Sequence, residues 1–215
     1  MMLTIYGRAT SSNVQLVMWA VGELGLAHER RDYGHVYGGL DSDAFGALNP
    51  HRKVPVLRDG ETVVWESGAI LRYLAARYGD DVFWPKEVAA RARVDMWAEW
   101  GKNELCNNFT VPIFWSRVRT AAEERDEARL AAAVATFDDY MAQLGAQLSG
   151  QTFICGEALT AADIVIGHLL YRWFTIDVPR RPNGPVEAYY QRLTERPAYR
   201  EHVMVSYDVL RAEGA

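Results

Sequence analysis

The chain has 215 residues, 49% hydrophobic and 24% charged, with 23 basic and 28 acidic side chains and a net charge of −5. That is the balance of a globular protein able to bury a sizeable core, and neither the acidic net charge nor any basic run suits nucleic acid as a partner. Cys106 and Cys155 lie far apart and outside any C-x-x-C spacing, which excludes a disulfide scaffold, speaks against a zinc site and fits a reducing, cytoplasmic compartment.

Leu3 to Tyr6 is a short run of strand formers closed by Gly7 and predicts a first strand. Arg8 to Asn13 is polar and reads as a loop. From Val14 to Leu24 apolar residues recur at helical spacing (Val14, Val17, Met18, Val21, Leu24), and Gly25 stops the helix. Ala27 to Tyr33 reads as a second strand and Gly34 to Leu40 as irregular chain. Val54 to Leu57 is apolar but contains Pro55, which has no N–H for a ladder and so belongs at the strand's start. Asp59-Gly60 signals a tight turn into a returning strand, Thr62 to Trp65. Ser67 to Tyr78 is a helix with Ile70, Leu71, Leu74 and Ala75 on one face. Strand, helix, strand, hairpin, helix is the order of a small α/β domain with a mixed sheet.

From Val88 onward the pattern is helical. Val88 to Glu104 carries a stripe of Ala92, Met96 and Trp100, Glu123 to Leu148 is long and periodic, and Thr160 to Trp173 is apolar nearly all round and so should be buried. Prolines at 179, 182 and 185 interrupt the chain before a last amphipathic helix, Pro185 to Glu195. The expected organisation is an α/β domain over 1–80, a linker over 81–87 with Pro85 stopping any continuous helix, and an α-helical domain over 88–215. The N-terminus has no basic leader and no apolar run reaches bilayer length, so neither a signal peptide nor a membrane partner is expected.

Three stretches could carry chemistry. Thr10-Ser11-Ser12-Asn13 joins a strand to a helix N-terminus, where free N–H groups and the helix dipole favour an anion. Ser12 and Gln15 fit a capping box, which assigns Ser12 to the cap and leaves Ser11 to face a ligand. In Asn49-Pro50-His51-Arg52-Lys53-Val54-Pro55, cationic residues precede an X-Pro bond; a cis bond there would turn the Val54 backbone outward toward a peptide ligand, whereas a solvated basic loop is the bland reading. In Trp65-Glu66-Ser67, Ser67 is a natural N-cap, and Glu66 with the helix N-terminus suits the amine and carboxylate of an α-amino acid.

The order and spacing of these three stretches resemble the cytosolic glutathione S-transferases, and the resemblance covers essentially the whole chain. Val54-Pro55 followed by Glu66-Ser67 is similar to their glutathione-site pattern, and Thr160-Ala161-Ala162-Asp163 to the capping box of their buried helix. Ser11-Ser12-Asn13-Val14 resembles the serine motif of the bacterial theta and phi neighbourhood. The resemblance implies the glutathione transferase fold, α/β plus all-α: an N-terminal thioredoxin-like domain followed by an α-helical bundle domain. It implies conjugation of glutathione, a co-substrate, to small hydrophobic electrophiles by a homodimer with no resident cofactor or metal. Ser11 would activate the thiol, with Ser12 and Asn13 as neighbouring donors. Lys53, Val54, Pro55, Glu66 and Ser67 would bind glutathione. The His-Lys pair of phi-like members is absent at Leu40-Asp41, so His51, Arg52 and Lys53 are candidates for the glycine carboxylate. Asn103, Asn107, Phe114 and Trp115 would wall the electrophile site, and His168 would be a satisfied core histidine. No cysteine lies in residues 1–50, which favours conjugation over thiol exchange. The same fold also serves as a non-catalytic binding or regulatory module.

Overall fold

The computed structural model describes residues 2–213. Four short strands form one mixed sheet in the order β2-β1-β3-β4: β1 (Leu3–Tyr6), β2 (His28–Arg31), β3 (Val56–Asp59) and β4 (Thr62–Trp65). β1 pairs parallel with β2 and antiparallel with β3, so Ile5 stands opposite both Arg30 and Leu57. The edge strand β2 reads His-Glu-Arg-Arg, and its charges blunt an open ladder. Pro55 sits just ahead of β3, where its missing N–H breaks no ladder bond, and the Val54–Pro55 peptide is cis.

Helix α1 (Ser12–Glu23) is buried on every side from Val14 to Val21. It shares one core with Leu3, Ile5 and Leu57 of the sheet and packs against α3 (Ser67–Tyr78), α7 (Ala161–Thr175) and α9 (Pro197–His202). The contact with α7 is close because Gly167 has no side chain: a Cβ there would lie 2.8 Å from the Trp19 ring and 2.7 Å from Leu193. At its C-terminal end Glu23 accepts from Trp19 Nε1 at 2.8 Å and from Arg196 at 2.7 and 2.6 Å, tying α1 to the start of α9. The sequence pattern shows neither α9 nor the six-residue α2 (Asp43–Leu48), both too short for a legible period; α2 is capped by the Ser42 hydroxyl, which accepts from Phe45 N–H.

The helix predicted over Val88 to Glu104 runs on to Arg119. It begins as α4 (Val88–Trp100), opens into wide i→i+5 turns over Gly101–Leu105, tightens as α5 (Cys106–Phe109) and opens again over Thr110–Arg119. Pro112 falls in the second wide segment; its ring and missing N–H do not fit a tight α-turn. α4 crosses α7 at Gly101, where a Cβ would meet Ile166 at 2.8 Å. The helices α6 (Glu127–Leu148) and α8 (Gly184–Thr194) complete the bundle; α6 starts later than Glu123 because the Asp126 carboxylate caps it through Arg129 N–H at 2.9 Å.

The start of α7 carries the expected Thr160…Asp163 arrangement. Asp163 is fully buried and accepts from Thr160 N–H (2.8 Å), Thr160 Oγ1 (3.1 Å), Ile154 N–H (3.0 Å) and Tyr189 Oη (2.8 Å). Burial pushes its carboxyl up and the four donors oppose that rise.

His168, also on α7, is only half satisfied. Nδ1–H donates to the Val165 carbonyl at 2.6 Å, while Nε2 is buried with no partner among the described residues. Burial, and then repulsion from Lys102, pull its pKa from 6.5 down to about 3. A histidine with a depressed folded pKa binds its proton better when unfolded, so its stabilising effect holds above 6.5 and is lost as pH falls toward 3. Between pH 7 and 5 this group should remove about 2 kcal/mol of stability. Urea unfolding at the two pH values should show that loss, and His168→Leu should show a correspondingly smaller one; equal losses would refute the assignment.

Candidate active site

Two helix N-termini converge on one cleft. Ser12 and Asn13 open α1, and Ser67 opens α3, each presenting unsatisfied N–H groups where anions are stabilised. The cleft, about 530 Å³, is lined by Ser12, Asn13, Lys53 and Glu66 on the α/β side, and by Lys102, Asn103, Cys106, Asn107, Thr110 and Val111 on the helical side. The Ser67 hydroxyl donates to Asn13 Oδ1 at 3.0 Å, and Lys102 Nζ donates to Asn13 Oδ1 at 2.9 Å and to Ser67 Oγ at 3.0 Å. An ammonium thus joins both helix starts across the domain boundary, and a second one, Lys53, stands exposed on the opposite wall.

The serine pair does not divide its labour as the sequence suggests. Ser11, not Ser12, occupies the N-cap position, in extended conformation, and its hydroxyl makes no cap bond. The expected capping box is absent: Ser12 Oγ is buried with no partner among the described residues, and so are both side-chain polar atoms of Gln15. Ser11 is half-buried, held by a bond from its N–H to Arg8 O at 3.1 Å, and its hydroxyl bonds to nothing among the described residues. A similar shift occurs at α3. Glu66 takes the cap position with φ +68°, outside the helical range, and Ser67 is the first helical residue.

The loop before β3 is fastened by Asn49, whose Oδ1 accepts from His51 N–H at 2.9 Å and whose Nδ2 donates to Lys53 O at 2.8 Å. Arg52 faces away from the cleft: its guanidinium donates to the carbonyls of Leu40 (2.9 Å) and Ser42 (3.0 Å), which makes it a brace for the loop. His51 is exposed and sets its ring edge-on to Trp65, centres 4.9 Å apart. The Val54 N–H and C=O take no backbone partner among the described residues and lie just ahead of the ladder.

On the helical wall, Asn103 donates to Glu99 at 3.1 Å and Asn107 to the Asn103 carbonyl at 2.9 Å, both at the cleft. Phe114 is elsewhere: it is 1% exposed and packed against Phe109 and Tyr207. Trp115 is exposed, with the Arg119 guanidinium 4.6 Å from its ring centre, and is not among the residues lining this cleft. A wide turn carries more residues per revolution than an α-turn, so a face extrapolated at α spacing has rotated away by residue 114. Lys102, Cys106, Thr110 and Val111 went unread for the same reason. Lys102 has no local signal at all, since Asn13 is 89 positions away. Burial pushes the Cys106 thiol up, so it stays protonated.

Comparison with known proteins finds one family along the chain. Residues 5–81 match the family model described as glutathione S-transferase, N-terminal domain, and 127–202 that of the C-terminal domain. The chain is 38% identical over 207 residues to glutathione S-transferase GstB of Escherichia coli strain K12, covering 95% of this chain and 99% of that one. It is 28% identical to glutathione S-transferase 3 of Zea mays over 217 residues, covering 94% and 93%. Among solved structures it resembles the theta class glutathione S-transferase of Xanthomonas axonopodis pv. citri with glutathione bound, at TM-score 0.90 and 40% identity, covering 95% and 98%.

The Asn13–Ser67–Lys102 cluster should be measurable without any ligand. A double-mutant cycle of Asn13→Ala and Lys102→Met, read by urea unfolding, should give a coupling of about 0.5–2 kcal/mol, in the range of contacting charged and polar pairs. Strict additivity would mean that the bridge between the two helix starts does not form in solution.

Proposed function

The chain belongs to the glutathione S-transferase family and is a transferase with glutathione as co-substrate, and on that premise we propose that the cleft between α1, α3 and Lys102 is its glutathione site and that Ser11 holds the thiol as thiolate. The observation that carries the reading is the meeting of two helix N-termini through Asn13, Ser67 and Lys102. Glutathione has an amino-acid head, a peptide, a thiol and a terminal carboxylate. The head carboxylate suits the N-terminus of α3 with Ser67 and Lys102, and its amine suits Glu66. The peptide suits the unpaired N–H and C=O of Val54, and the far carboxylate suits Lys53, with His51 at the rim.

Ser11 then serves the sulfur. A free thiol of this type has a pKa of about 8.5, so little is ionised at neutral pH. A hydroxyl donating to the thiolate at a helix N-terminus contributes about 1.5–3 kcal/mol, or roughly one to two pKa units. Ser11 is favoured because its hydroxyl has no structural partner and is not buried. Asn13 is the second donor: its Oδ1 is occupied by Ser67 and Lys102, which leaves Nδ2 available. In the reaction the thiol proton passes to solvent, a C–S bond forms at the electrophile, and the leaving group departs with its electron pair.

One observation favours a rival. Ser12 lines the cleft wall, and its Oγ lies just beneath the surface with no partner among the described residues, so a small shift would let a ligand satisfy it. The two serines are separable. Ser11→Ala should move the rising limb of the pH–rate profile up by about one to two units, with a smaller change in glutathione affinity. Ser12→Ala should leave stability within about 0.5 kcal/mol, because the hydroxyl it removes caps nothing, and should leave the profile in place. Profiles taken with a chromogenic electrophile decide: a shift in Ser12→Ala alone transfers the role to Ser12.

The reading extends to a cytoplasmic homodimer. Val88 and Met96 on α4 are 77% and 67% exposed, apolar side chains that a second copy would cover, and a two-fold patch is the usual solution. Among the described residues no helix is long and apolar enough to cross a membrane. Light scattering at micromolar concentration should return twice the 24.3 kDa chain mass; a monomer would refute the dimer.

A further inference from the structure

Asn13 is exposed at the cleft, and an exposed carboxamide ordinarily turns over freely, presenting either its oxygen or its NH2 group. Here both lone pairs of Oδ1 are taken. The Ser67 hydroxyl donates to it at 3.0 Å and Lys102 Nζ at 2.9 Å, and the same ammonium donates to Ser67 Oγ at 3.0 Å. An ammonium has three donors and no acceptor. Turning the amide over would break both bonds to Oδ1 and set its NH2 group against N–H donors. The oxygen is therefore held toward Lys102 and Nδ2 away from it, and Nδ2 makes no hydrogen bond among the described residues. The groups that impose this orientation are themselves fixed. Ser67 is 2% exposed at the start of α3. Lys102 follows Gly101, where the backbone presses on α7: a Cβ at 101 would lie 2.8 Å from Ile166 and 3.0 Å from Val165.

We propose that Lys102 is a positioning residue for the thiol: reaching across from the helical domain, it fixes the Asn13 amide with Nδ2 toward the sulfur, so that the thiolate has a second directed donor beside Ser11. The inference rests on the reading of this cleft as the glutathione site with the thiol at Ser11. Two of the three N–H groups of the ammonium go to Asn13 and Ser67, and the third remains for the head carboxylate of glutathione, so binding leaves the arrangement intact. The thiol proton still passes to solvent; Nδ2–H donates to the sulfur anion and keeps its proton. A freely turning amide would spend part of its time with Oδ1 toward the sulfur, where an acceptor opposes the anion. A cation in the cleft also favours an anion through space, but that effect needs no Asn13, and the two are separable.

The pKa of the bound thiol is read from the ultraviolet absorbance of the thiolate in glutathione complexes across pH, with the rising limb of the pH–rate profile as a second readout. Asn13→Ala should raise that pKa by about one unit or more, as the loss of one charge-assisted bond requires. Lys102→Met should raise it by about half a unit to one unit, and the double variant no further than Asn13→Ala alone. Lys102→Arg, which also donates without accepting, should recover most of the wild-type value. Additive shifts in the double variant would mean that the cation acts on the sulfur by its field, and would overturn the proposal. So would a wild-type pKa in Lys102→Met; in either case a raised value in Ser11→Ala leaves the assignment of Ser11 standing. A wild-type value in Ser11→Ala would overturn that assignment and, with it, this inference.

Discussion

The burial of α1 governs the rest of the molecule. Every residue from Val14 to Val21 is out of water, enclosed by the sheet core on one side and by α3, α7 and α9 on the others. A helix held on all sides cannot roll or slide without opening the core, so its N-terminus is a fixed point. Gly167 lets α7 approach Trp19, and the Glu23–Arg196 pair anchors the far end. Ser11, Ser12 and Asn13 inherit that rigidity although they lie at a loop–helix junction. Groups held within a fraction of an ångström by packing are what a site needs to favour one charge state of a ligand.

The charged groups around that fixed point have been handled in two opposite ways. Asp163 is fully buried, yet four donors converge on it, so its charge or its proton is well accommodated. It closes the start of α7 and the turn before it. Arg172, on the same helix, is nearly as deep and has one carbonyl for a partner. A buried carboxylate with saturated valence is architecture. A buried guanidinium resting on one carbonyl and one aromatic face keeps its charge with weaker partners than a carboxylate would supply.

The wide turns in the long helix matter for the same reason. They begin at Gly101, where α4 must pass Ile166 at close range, and they bring Lys102, Cys106 and Thr110 to the cleft. A straight α-helix through this point would send different side chains toward Asn13 and Ser67. The second wide segment turns Phe114 into the core and sets the Arg119 guanidinium over the Trp115 ring.

The amino-acid sequence by itself determined the elements whose signals are local. The strand Thr62–Trp65 and the helix Ser67–Tyr78 were legible residue for residue, as was the arrangement that opens α7, because turn residues, caps and apolar periodicity act over a few positions. The three stretches of the site and their family resemblance were legible for the same reason. What only the tertiary structure decided depends on groups far apart in the chain. The sequence read Ser12 as a cap, but helix α1 begins one residue earlier, with Ser11 in the cap position, and neither hydroxyl bonds the helix. Arg52 was read as a ligand and braces a loop, because its partners Leu40 and Ser42 are carbonyls ten or more residues back. Lys102 was invisible, because its partners Asn13 and Ser67 lie 89 and 35 positions away. Whether a charge is paired depends on what the fold brings within a few ångströms, and no spacing along the chain encodes that.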